Sequence, residues 1–220
     1  MINKMKHLFT RILEELKEHI PFTILASFIS VILCFLLIKS NLISSVVSVF
    51  YIFHPLHLFF SAIVSTALFY KYRKNIFLSI LVGVFISVII GSISDVFFPY
   101  LGSSLFGIPI SFHLPAVENP LFILGVSIFG SIIGIAAKKT KFPHFIHVFI
   151  SVFASLFYIF AYSTNFNLLM LFLILIITTI SVIIPCCLGD IILPIFFKEK
   201  IKRISHEHEF GGKKLGVSVQ

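Results

Sequence analysis

The sequence predicts an all-α, polytopic helical membrane protein: six transmembrane spans built as two inverted three-helix repeats, preceded by an interfacial amphipathic helix. Three observations predict it. Apolar runs of roughly twenty residues, enough to cross a bilayer, recur along the 220-residue chain. Lys and Arg gather on alternate connecting segments. A spaced set of His, Ser, Asp and Pro occurs twice in the same order.

The hydrophobic fraction is 58%, the charged fraction 12%, and mean hydropathy +1.09. Soluble domains carry about a quarter charged residues, so a soluble or disordered chain is excluded. Three Cys, none in a CxxC, exclude a disulfide scaffold.

Residues 1–19 come first. Met5, Leu8, Phe9, Ile12, Leu13 and Leu16 recur at helical spacing, with Lys and Glu on the other face. That pattern predicts a cytoplasmic helix lying on the inner leaflet. It is no signal peptide, because no small-residue cleavage site follows. The spans follow at about 20–38, 44–70, 76–98, 119–137, 142–163 and 167–197. The last exceeds a minimal crossing, so it tilts, breaks or emerges. They divide the chain into a first repeat at 20–100, an outer loop at 101–118, a second repeat at 119–197 and a polar cytoplasmic tail at 198–220.

Sixteen of the 17 Lys and Arg residues fall on the N-terminal segment, the second and fourth loops and the tail, and only Lys39 falls elsewhere. The positive-inside rule then places both termini in the cytoplasm of a multi-pass plasma-membrane protein. The same bias accounts for the net charge of +8 without a nucleic-acid partner.

The repeat rests on scarce residues. His54, His57, Phe59, Ser61 and Ser65 match His144, His147, Phe149, Ser151 and Ser155 as HxxHxFxSxxxS. Ile86–Ile90 and Ile180–Ile184 both read ISVII, followed by Asp95 and Pro99 in one half and Asp190 and Pro194 in the other. Those are the only two Asp residues in the chain. Three spans per repeat, an odd number, make the halves enter the membrane from opposite sides, as in many secondary transporters.

An intramembrane carboxylate is costly and marks an ion or proton path, or else caps a broken helix. His residues three apart share a helical face. Two imidazoles with a carboxylate suit Zn, Co, Ni or Fe. The candidate substrate and metal ligands are therefore His54, His57 and Asp95 toward the outer half and His144, His147 and Asp190 toward the inner half. His113 and Glu118 of the outer loop could join the first group, and Cys186 and Cys187 the second. Pro55 would open the helix beside the first His pair, and Pro143 starts the fifth span. Gly130 and Gly134 form GxxxG, which suits either an internal contact or a dimer face.

These features point to a membrane transporter or permease for a small cation, with a divalent transition metal as the cargo class and protons as a coupling ion. His titrates near neutrality, which fits such coupling. The alternatives are a membrane-embedded metal-dependent enzyme, a substrate-binding membrane subunit of a multi-component uptake system, or a scaffold. No HExxH, GxSxG or phosphate loop occurs, so no catalytic residue is assigned and an enzyme is disfavoured. The expected partners are the lipid bilayer, the cation, and a second copy or an energising subunit.

Overall fold

A computed structural model describes residues 20–21, 23–37, 40, 45–137, 141–163 and 168–187. The predicted interfacial helix, the tail and Asp190 lie outside the described residues, as do the side chains of His144, Cys186 and Cys187.

The described chain is all-helical, without a strand. Helix α1 spans Thr23–Leu37. It is followed by α2 (Val46–Tyr72), α3 (Ile76–Ser92), α4 (Phe98–Leu105), α5 (Pro115–Glu118), α6 (Pro120–Ala136), α7 (Lys141–Tyr162) and α8 (Leu168–Val182). Two π turns interrupt the series, Ile93–Phe97 between α3 and α4 and Ile183–Cys187 after α8. A helix lies on each of the six predicted apolar segments. By length and composition, Val46–Lys71 and Ile76–Leu105 are long and apolar enough to cross a membrane, and the other four described apolar helices are shorter.

Local chemistry sets the helix starts. Ser45 caps α2 by accepting from the Ser48 N–H at 3.2 Å, and Asn75 caps α3 by accepting from the Leu78 N–H at 2.9 Å. Pro55 lies inside α2, which continues through it. The third helical segment outruns its expected end at 98. Pro99 stands in the first turn of α4, where its missing N–H is not needed, and the π turn carries the backbone across. The outer loop is correspondingly shorter. It begins at a turn where Gly107 has φ +71° and the N–H of Ile108 reaches the Ser103 carbonyl at 2.9 Å.

Helix α2 is the hub and packs against α3, α6 and α7. Along α6 the contact is backbone on backbone. A Cβ at Gly130 would stand 2.4 Å from the Phe59 carbonyl oxygen, and one at Gly134 2.7 Å from that of Ile63. The GxxxG is thus an internal contact. The main apolar cluster joins Val31 and Cys34 of α1 to Phe50, Val96, Phe157 and Ile174. A smaller one joins Ala26 of α1 to Val148 and Val152 of α7 and Val182 of α8.

Helix α6 lies on α2 and α3, while α1 shares apolar clusters with α2, α7 and α8. Of two apolar surface grooves, one of about 440 Å³ runs between α3 and α6, and one of about 400 Å³ between α8 and α1. Many large apolar side chains face outward, Phe77 being 77% and Leu121 86% exposed. Beside its apolar clusters the interior also holds small polar side chains such as Ser27, Ser87, Ser127 and Ser131, all fully buried.

Candidate functional site

The site is assembled from α2, the first π turn and α7. The i, i+3 spacing sets His54 and His57 on the face of α2 that meets the turn. The turn carries Ser94 and Asp95, and α7 supplies Ser151 and Ser155 one turn apart. All six side chains are buried to 0% exposure.

Asp95 is the centre. Its Oδ2 lies 2.9 Å from His54 Nδ1 and 2.7 Å from His57 Nδ1. Its Oδ1 accepts from Ser94 Oγ at 2.7 Å and from Ser151 Oγ at 3.0 Å. Ser155 Oγ donates to the Ser94 carbonyl at 2.9 Å and so anchors the turn itself. No Lys or Arg among the described residues pairs with Asp95; its ion-pair partners are the two imidazoles. Burying an unpaired carboxylate costs several kcal/mol. Here four donors occupy its four lone-pair positions, and hydrogen bonds to an ionised group contribute about 1.5–3 kcal/mol each.

The donor set constrains the protons. A carboxylate only accepts, so both Nδ1 atoms carry hydrogen. In a neutral imidazole Nε2 is then the lone pair. His54 Nε2 is buried with no hydrogen-bond partner among the described residues. This is the orientation imposed on a metal-ligating His by a carboxylate that accepts from its other ring nitrogen. Asp95 caps no helix, and both its oxygens are engaged by these four donors. Among the described residues no three His, Cys, Asp or Glu side chains form a metal-holding group.

His147 of the second half stacks on His57, with centroids 5.5 Å apart and planes 7° from parallel. The contact joins the C-terminal member of each His pair. Because α2 and α7 are the most extensively packed pair, the two motifs meet inside one interface.

His113 and Glu118 do not join the Asp95 cluster. They form their own, with His113 Nδ1 3.1 Å from Glu118 Oε1 and the Tyr51 hydroxyl donating to Glu118 Oε2. Burial disfavours the Glu118 charge, but the Tyr51 and His113 hydrogen bonds outweigh it and hold the carboxyl below its ordinary range. The His113 ring stacks on Tyr162 at 4.2 Å, and the His113 backbone N–H donates to the Tyr158 hydroxyl at 3.2 Å. Fully buried Phe50 touches both clusters, stacking on His54 at 5.5 Å and meeting Tyr51, Tyr158 and Tyr162 edge-on.

Sequence reasoning singled out both His pairs and Asp95 but assigned Ser94 no role and gave Ser151 and Ser155 no function of their own. The signal for the serines was their place in the repeat. For Ser94 it was only adjacency to the Asp. The chain matches no protein family model, no curated protein and no solved structure.

Proposed function

We propose that the chain is a six-span membrane carrier for a small cation of the divalent transition-metal class, moved in company with protons through the buried His–Asp centre. The observation that carries this reading is the Asp95 carboxylate, fully buried and held by two imidazoles and two hydroxyls. A scaffold gains little from so costly an arrangement. His54 Nε2 is the lead ligand, His57 and His147 stand beside it, and Asp95 fixes the His tautomers and supplies negative charge. His144 and Asp190 occupy the matching positions of the second repeat and are assigned the corresponding work.

Several features support the membrane part of the reading. Many large apolar side chains face outward, and fully buried serines lie among the apolar residues of the interior, which suits a lipid surround in which small and polar residues hold helices together. Sixteen of 17 basic residues fall on one side of the proposed spans. The twofold occurrence of the His–Ser and Asp–Pro motifs supports duplication, and the odd span count makes the repeats inverted.

The test is uptake into proteoliposomes loaded with a metal-sensitive dye, offered Zn, Co, Ni or Fe. Wild type should accumulate the ion, and Asp95→Asn and Asp190→Asn should each lower uptake by roughly tenfold or more, the scale of losing an orienting carboxylate. Normal uptake by both variants would remove the carrier mechanism. The meeting of His57 and His147 also favours a second reading, a membrane-embedded metal-dependent enzyme. That reading requires a general base near the metal, and turnover of a substrate without ion flux across the liposome separates the two.

A further inference from the structure

The membrane reading makes one surface cleft specific. Beyond Gly134, where α2 and α6 stop touching closely, a cleft of about 470 Å³ opens between their C-terminal ends. Its inner wall is apolar, with Leu68, Ile135 and Ala136, and its rim carries Tyr70, Lys71 and Lys74. The Lys74 ammonium lies 4.6 Å above the Tyr70 ring, a cation–π contact that holds it at the rim. Among the described residues neither Lys71 nor Lys74, nor the adjacent exposed Arg73, has a carboxylate partner. The only described acidic residues, Asp95 and Glu118, are engaged by His54, His57, His113 and Tyr51. In sequence, Lys138, Lys139 and Lys141 follow α6 directly.

We propose that this cleft is a binding site for an anionic phospholipid of the cytoplasmic leaflet. Its headgroup phosphate sits between Lys71 and Lys74, and an acyl chain runs along Leu68 and Ile135. Cations without a carboxylate partner among the described residues mark the phosphate end, the apolar wall receives hydrocarbon, and basic pockets between helices on this side of a membrane recognise anionic headgroups. A zwitterionic lipid would bring its own cation against the two lysines and is disfavoured.

The experiment measures thermal unfolding of the full chain in detergent with added phosphatidylglycerol, phosphatidylcholine or inorganic phosphate. Saturating phosphatidylglycerol should raise Tm by several degrees, as a ligand of the folded state does, while the other two move it by under about 1 °C. The double variant Lys71→Gln with Lys74→Gln should lose most of that rise, and Lys71→Arg with Lys74→Arg should keep it. Ile135→Trp, which fills the apolar wall and leaves both lysines, should also lose it and serves if the Gln variant does not fold. Equal shifts with the two lipids, a full shift with phosphate alone, or an undiminished shift in the Gln and Trp variants overturns the proposal. Cation uptake is read separately: lost uptake with an intact lipid shift removes the carrier and leaves this site, and the reverse result does the opposite.

Discussion

Four protons point at one carboxylate in the centre of this protein, and the identity of the replacement decides what a substitution at Asp95 does. Asparagine can turn its carbonyl oxygen to the two imidazoles and its amide hydrogens to Ser94 and Ser151, whose hydroxyls also accept. Asp95→Asn should therefore fold while losing uptake. Asp95→Leu strands buried donors, each costing about 1–3 kcal/mol, and its Tm should fall well below that of Asp95→Asn. Equal Tm values would show that the cluster does not hold the helices. Glu118 gives a different signature. Its carboxyl is held below the ordinary 4.5 in the folded state by hydrogen bonds that outweigh burial, so its contribution is complete above that value and lost as pH falls through the folded value. Glu118→Gln should flatten the fall in Tm below about pH 5 that wild type shows, and an unchanged acid limb refutes the assignment.

At the scale of elements, the contact between α2 and α6 depends on what is missing from α6. Gly130→Ala would drive a methyl group into the Phe59 carbonyl, and overpacking of this kind costs about 1–3 kcal/mol. Gly125, in the same helix, has nothing within 4 Å of its would-be Cβ. Gly125→Ala should be neutral or stabilising by up to about 1 kcal/mol through helix propensity. Thermal unfolding of the pair separates a packing role from a general preference for Gly, and similar behaviour of both variants would contradict the close approach. The π turn acts at the same scale. It carries the helix past Pro99 and presents Ser94 and Asp95 to α2 and α7 together.

For the whole molecule, the proposed topology commits to sides. Cysteine-accessibility labelling tests it: Lys139→Cys should react only from the cytoplasmic face, and Val117→Cys, at a position 73% exposed, only from the outer one. Labelling of both from the same face would break the odd-span repeat. Helix α6 packs on α2 and α3, α1 shares apolar clusters with α2, α7 and α8, and α7 places Ser151 on the Asp95 carboxylate.

The residues by themselves determined the helical class, the positions of the helices and most of the chemistry of the centre. Those signals are local: apolar runs, and His and Asp residues that are scarce in this chain. The reach of α4 past Pro99 was not legible, because a Pro that ends one helix and a Pro that starts the next look alike. Only the tertiary structure decided which partners the scarce residues take. It gave the Asp95 oxygens to His54, His57, Ser94 and Ser151, laid His57 on His147, and kept His113 and Glu118 apart beyond Phe50. Hydrogen bonds between helices depend on how deeply and at what rotation the helices pack, and for α2 that is set by glycines and small side chains whose spacing says that two helices approach without saying which two.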